Sequence, residues 1–413
     1  MQVTVIGTGY VGLVTAIGLA DAKHDVVCVD LNRERMEQLS KGIAPITEEG
    51  IEEALQKNQN RLTFTTEYPV SDLYLVAVGT PEGADGSCDL SAVEAVVKLI
   101  HSIQPDAAVV MKSTVPPGTT EKLQTAYPSL RFAMVPEFLR EGTAIRDMRN
   151  PHRVIIGAYD QQLAETLTDL FKTNAPIVHV DPTTAELTKY AANSFLAVKI
   201  SFINEIARLA DIVGADVEDV AHGIGLDPRI GPAFLKAGAG YGGSCFPKDI
   251  AALTTLAQRQ GEHLHVIEAA DRTNEAQLEY VLQKINPRPG HRVALLGLSF
   301  KPGTDDLRDA PALRLAERLA KMGVIVTGYD PAAKTLLDQK STIEETVSGA
   351  DIAVIMTEWD EIKHVTPRQL TDNMKTARLI DGRNCWTFVD EPGNVQYEGI
   401  GRPSKTFSNN PTL

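Results

Sequence analysis

The chain contains no uninterrupted apolar run of about 18 residues, the length a helix needs to cross a bilayer. It opens on MQVTVIGTGYVG, which reads as a strand and a glycine turn. There is no basic segment followed by an apolar core and a cleavage site, so no secretory leader is expected and the cytoplasm is the expected location. Positive charge is in deficit: 40 Lys and Arg face 54 Asp and Glu, a formal net charge of −14. That balance argues against nucleic acid or an anionic membrane as a main partner, because both require a basic face. The acidic excess serves solubility, or suits a salty cytoplasm. Cysteine is scarce, with four in 413 residues, none of them in a Cys-x-x-Cys pair. No histidine cluster has metal-ligand spacing, so neither a metal nor a disulfide is expected. Cys28 lies inside the apolar strand DVVCVD and reads as core, while Cys88 and Cys385 lack nearby activating groups.

What remains is an ordinary globular composition, 43% hydrophobic and 23% charged. A chain this long predicts two or three domains. From QVTVIG through YVGLVTAIGLADAK to HDVVCVD, the pattern is strand, helix, strand. DLYLVAVGTP, DAAVVMKSTVPPGT, RFAMVPEFL and HRVIIGAY continue the series. Alternating strands and helices predict a doubly wound parallel sheet over residues 1–182. TTAELTKYAANSFLAVKISFINEIARLADIVG carries no strand signal and reads as one long helix, in a helical region at 183–285. NPRPG then reads as a linker. Residues 286–413 repeat the opening pattern, with HRVALLGLSF, VIVTGYD and ADIAVIMTEWDE in the places of the first strands. The expected fold is α/β: two Rossmann-like doubly wound parallel-sheet domains joined by a central helical domain with one long helix.

GTGYVG supplies Gly7, Gly9 and Gly12 in the G-x-G-x-x-G spacing, after a strand and at the start of a helix. Asp30 ends the next strand, about twenty residues on, where a carboxylate accepts bonds from a ribose 2′-OH. Glycine lets the backbone approach a pyrophosphate, and the helix start offers unpaired N–H groups. A carboxylate repels a 2′-phosphate, so NAD is favoured over NADP; Arg35 lies within reach and leaves that choice open. Thr80 and Thr114 follow strand ends, where their hydroxyls line a nicotinamide pocket or simply shape turns.

GYGGSCFPKDI places Cys245 between glycines and a proline that begins a helical pattern. A helix N-terminus and the nearby Lys248 favour a thiolate. Asp249 holds a water or balances Lys248. A nicotinamide site together with a nucleophilic thiol predicts a four-electron oxidation. An alcohol loses hydride to give an aldehyde, the thiolate adds, a second hydride leaves, and the thioester is hydrolysed to an acid. Glu186, Lys189 and Asn193 share one helical face. They suit oxyanion stabilisation, or equally a solvated face, with Lys199, Asn204 and Glu205 further along. Glu137, Arg140 and Glu141 follow a strand end, where a carboxylate serves as base or as a helix start. Lys301 sits in a turn that suits a phosphate or solvent.

The motifs GTGYVG, STVPPGT, PEFLREGTA, ELTKYAANSFLAVKISFINE, GYGGSCFPKD and GLSFKPGTDDLRDAP occur in one order over essentially the whole chain. In this the chain resembles the UDP-glucose/GDP-mannose dehydrogenase family, and GGSCFPKD resembles its UDP-glucose members most. The resemblance implies oxidation of UDP-glucose to UDP-glucuronate with two NAD, with GDP-mannose or a UDP-N-acetylhexosamine as other candidate substrates. It implies Cys245 as nucleophile, Lys189 and Asn193 as oxyanion stabilisers with Asp249 holding water, and Glu137 as base with Thr114 positioning the water. Tyr10, Val11, Glu141, Lys248 and Arg308 join the implied cofactor contacts. Phe138, Leu139, Arg140, Tyr241, Gly242, Phe300, Lys301 and Arg383 join the implied substrate contacts, and Arg229 is expected to reach a neighbouring subunit's substrate. The long helix is the expected core of a homodimer or larger assembly.

Overall fold

A computed structural model describes residues 1–388, 395–403 and 405–406. The chain divides into two compact units, one of Met1–Ala192 with Ala251–Glu262, the other of Asn193–Ile250 with His263–Leu413.

In the first unit, β-branched runs form strands β1 (Gln2–Ile6), β2 (Asp25–Val29), β3 (Leu62–Thr65), β4 (Leu73–Val76), β5 (Ala108–Met111), β6 (Arg131–Met134), β7 (Val154–Ala158) and β8 (Ile177–Val180). They make one sheet ordered β3-β2-β1-β4-β5-β6-β7-β8. β4 is buried at every position, as expected for a strand covered on both faces. Its residues alternate between two apolar cores, Leu73 and Leu75 on one face and Tyr74 and Val76 on the other. The order reverses between β1 and β4, which is where doubly wound sheets open a ligand crevice. Strands β1 to β6 are parallel, but β7 runs antiparallel to β6, with Ala133 opposite Ala158. The sheet is thus the expected doubly wound, predominantly parallel one, with this pairing as its one antiparallel step. VIIGA is apolar on both faces, and such a run reads the same in either direction.

The second unit holds β9 (Arg292–Leu296), β10 (Ile325–Tyr329), β11 (Asp338–Gln339), β12 (Ile352–Ile355), β13 (Arg378–Asp381), β14 (Gln396–Gly399) and β15 (Lys405–Thr406). Their order, β11-β10-β9-β12-β13-β14-β15, repeats that of β3 to β6 in the first sheet, with an antiparallel β15 at the edge. The internal repeat read in the sequence is thus a repeat of topology. The long helix spans Pro182–Val213, 32 residues. Helices Val217–Gly225, Phe246–Arg259 and His265–Ile285 complete the helical region. Among the described residues no helix is long and apolar enough to cross a membrane.

Candidate active site

The glycine turn forms for steric reasons. Gly7 has φ +92°, and a Cβ on it would lie 2.7 Å from the Ala77 carbonyl oxygen. A Cβ on Gly12 would lie 1.8 Å from the Gly7 oxygen, so only glycine lets helix and turn meet there. A Cβ on Gly9 would meet nothing within 4 Å, which leaves the turn open toward a ligand. Asp30 accepts from the Thr8 backbone and hydroxyl, each at 2.8 Å, and from Arg35 at 3.2 Å. Burial pushes its carboxyl up, but the backbone donors of Asn32 and Thr8, the Thr8 hydroxyl and Arg35 outweigh it and hold the group ionised. This cradle fits NAD: Gly7, Gly9 and the start of helix Tyr10–Asp21 would hold the pyrophosphate, and Asp30 a ribose. The Tyr10 hydroxyl donates to Glu48, and both accept from the Gly142 backbone, at 2.7 and 2.6 Å, which fixes the chain beside Glu141. Val11 packs on the sheet core. The Thr80 hydroxyl donates to the Thr114 carbonyl at 2.9 Å, joining the ends of two strands.

Glu137 follows β6 and is 7% exposed; Lys189, on the long helix, is 3% exposed. The lysine Nζ donates to Glu137 Oε1 at 2.8 Å, and the Leu139 backbone donates to Oε2 at 2.6 Å. Burial alone would raise the Glu137 carboxyl; Lys189, the Leu139 N–H and nearby Lys112 hold it below the ordinary carboxylate range. Phe138 lies between two cations, with Arg153 3.6 Å and Lys189 Nζ 5.5 Å from its ring centre. Glu186 does not join Lys189. It turns to the loop after β5 and accepts from Gly118 N, Thr120 N and the Thr120 hydroxyl.

One turn beyond Lys189 on the same helix, Asn193 Nδ2 donates to Asp249 Oδ2 at 2.7 Å. Asp249 is 1% exposed and also accepts from Lys248 Nζ at 2.5 Å. Lys248 therefore balances Asp249. Helix Phe246–Arg259 begins immediately after Cys245, whose carbonyl accepts from Asp249 N at 3.0 Å. The Ser244 hydroxyl lies 3.6 Å from the sulfur.

The loop before Cys245 is held from several sides. Asn204 accepts from Gly238 N, Gln277 donates to Gly238 O, and Asn274 accepts from Tyr241 N, all at 2.8 Å. Gly243 N donates to Arg308 O at 2.9 Å, and a Cβ on Gly242 would sit 2.0 Å from Asp309 O. The Phe300 ring presses on Gly243, where φ is +86°. Lys301 Nζ lies 5.1 Å from that ring's centre. Arg383 donates to Met356 O at 2.7 Å, and to Gly240 O and Phe300 O, each at 3.3 Å. Tyr241, Gly242, Phe300, Lys301 and Arg383 thus gather around one loop.

Three of the arginines expected at ligands also pair with carboxylates within the chain. Arg140 forms a bidentate pair with Asp147, Arg308 with Asp306, and the exposed Arg229 with Asp227. Two cations were not singled out in the sequence: Lys112, at the end of β5, and Arg153. The only hint of Lys112 is a lysine ending the apolar run AAVVMK. Among the described residues no group of His, Cys, Asp and Glu could hold a metal ion.

Comparison with known proteins matches this arrangement along the chain. Residues 1–175 match the NAD binding domain of the UDP-glucose/GDP-mannose dehydrogenase family, 183–276 its central domain, and 294–388 its UDP binding domain. The chain is 43% identical to UDP-glucose 6-dehydrogenase YwqF of Bacillus subtilis, over 97% of this chain and 98% of the relative. A UDP-glucose dehydrogenase structure from Pyrobaculum islandicum has a TM-score of 0.90 at 35% identity, covering 97% of this chain and 98% of that one. A UDP-D-ManNAc dehydrogenase structure from Pyrococcus horikoshii has a TM-score of 0.88 at 31% identity, covering 97% and 99%. The protein belongs to the UDP-glucose/GDP-mannose dehydrogenase family and is an NAD-dependent oxidoreductase.

Proposed function

We propose that the protein oxidises the 6-hydroxymethyl group of UDP-glucose to a carboxylate, using Cys245 as nucleophile. The observation that carries this reading is Cys245 at a helix start, with Asn193–Asp249 in the same unit and the Lys189–Glu137 pair one helical turn from Asn193. NAD, when bound, accepts a hydride in each of two oxidations. The Cys245 thiolate adds to the aldehyde carbon, forming a C–S bond and leaving charge on oxygen. Lys189 and Asn193 stabilise that oxygen by charge and hydrogen bonding. Loss of the second hydride leaves a thioester. Glu137, already ionised, takes a proton from water, which attacks the acyl carbon, and the C–S bond breaks to return the thiolate. In total the alcohol, one water and two NAD⁺ give the carboxylate, two NADH and three protons. Thr114 positions the water, and Lys301 and Arg383 hold the nucleotide sugar. In this reading residues 1–182 bind cofactor, 183–285 associate, and 286–413 bind the nucleotide.

The test is stoichiometry on a substrate panel. Purified protein with UDP-glucose is expected to form two NADH per acid, and faster than with GDP-mannose or UDP-N-acetylmannosamine. A ratio of one would overturn the mechanism. Faster turnover of UDP-N-acetylmannosamine would move the substrate to the second reading, which the Pyrococcus horikoshii relative supports.

The long helix leaves Phe195, Phe202 and Leu209 exposed at seven-residue spacing, followed by Ile212 and Val213. We propose that a second copy covers this stripe and that Arg229 reaches the partner's substrate, in a cytoplasmic homodimer. Phe202→Asp is expected to lower the light-scattering mass to one chain; an unchanged mass would rule out this face.

A further inference from the structure

A cavity of about 270 Å³ opens on the first unit between the end of helix Tyr10–Asp21, the segment after β6 and the start of β7. Its carboxylates are matched: Glu137 with Lys189, Asp147 with Arg140, and Asp21 with Arg149 and Lys57. Besides the exposed Lys172, two of its cations are not. Lys112 is 6% exposed and, like Arg153, has no ion pair or side-chain hydrogen bond among the described residues. Lys112 Nζ lies 5.0 Å from the ring centre of Phe171, and the Arg153 guanidinium stacks on Phe138; both rings line the same cavity.

An ammonium buried at this depth costs several kcal/mol unless it is compensated. The wall of the cavity already spends its acidic groups on other partners. Stacking holds the Arg153 fork flat and leaves edge donors for a bidentate acceptor. The volume lies just below the range of about 300–1,000 Å³ that takes drug-sized ligands, so it suits a small ion and its waters. We infer that this cavity is a binding site for a small oxyanion, of phosphate or carboxylate chemistry, held between Lys112 and Arg153. Burial pushes the Lys112 ammonium down to about 8, because the nearby Glu137, already bonded to Lys189, offsets only part of that cost. Glu137 shares the wall, so a bound anion would act electrostatically on that carboxylate.

The test is calorimetric titration of the protein with inorganic phosphate and with malonate at constant ionic strength, with chloride as control. NAD and UDP are kept saturating, so that the nucleotide phosphate sites are filled. One saturable site per chain is expected for phosphate, malonate or both, and the tighter of the two identifies the class. Lys112→Met and Arg153→Leu should each weaken it about tenfold or more, the factor for a lost charge-assisted hydrogen bond. Lys112→Met should also keep or raise the thermal midpoint, since the burial cost removed exceeds the partial compensation from Glu137. No saturable binding of either anion, or full affinity in either variant, overturns the proposal. If one variant does not fold, the other decides.

Discussion

Cys245→Ser is expected to make essentially no acid while keeping its fold and its affinity for NAD. Serine fills nearly the same volume, so the loop of Gly238–Gly243 and the helix start after it stay in place. The change is chemical. A thiol ionises near neutral pH when helix N–H groups and dipole favour its anion, whereas a serine hydroxyl stays protonated. Without the C–S bond the aldehyde is never held as a thiohemiacetal, and the second oxidation has no substrate. Acid formation should fall by at least about 10³-fold, as expected when a nucleophile is removed from a group that acts as a unit. A single-turnover record of NADH absorbance should stop near one equivalent. Acid formation within tenfold of the parent would remove the thiol from the mechanism.

Glu137→Gln should block a different step. The glutamine keeps the size and can still accept from Lys189, but it cannot take a proton from water. Acid release should drop by about 10²- to 10⁴-fold, the range for losing a general base, and the thioester on Cys245 should accumulate. Intact-protein mass spectrometry reads that adduct directly; a merely structural glutamate would leave none. The same carboxylate carries a pH signature. Its folded-state pKa lies below the unfolded value of 4.5, because Lys189, the Leu139 N–H and Lys112 outweigh burial. Its stabilising contribution is therefore full above that unfolded value and is lost as pH falls through the folded one. In the Gln variant Lys189 stays buried without its counter-charge, a loss of up to about 3–5 kcal/mol for breaking a buried pair. Denaturant midpoints above and below pH 4.5 should converge for parent and variant at the acid end.

Much of this was legible in the letters because it is local. The glycine turn, the β-branched runs, the long helix and the cysteine at a helix start are written within about ten or twenty neighbouring residues, and periodicity finds them. Lys189 and Asn193 were also readable as one helical face. Their partners were not, because Glu137 is 52 residues from Lys189 and Asp249 is 56 from Asn193. Glu186 illustrates the limit. It occupies the same face as Lys189, yet Thr120, 66 residues away, determines its role. The direction of β7 was hidden for a related reason: a strand buried on both faces has no polar side to reveal its sense. The pairs of Arg140 and Arg308 with carboxylates seven and two residues away are local bonds that the motifs themselves do not spell out.

The wiring of the segment before the cysteine has a practical corollary. Asn204, Asn274 and Gln277 grip it from two helices, while Arg308, Phe300 and Arg383 press on it from the turns of the second sheet. The thiol's aim is thus a property of the folded second unit as a whole. Transplanting GYGGSCFPKD onto an unrelated scaffold would carry over the lettering and leave the reactivity behind.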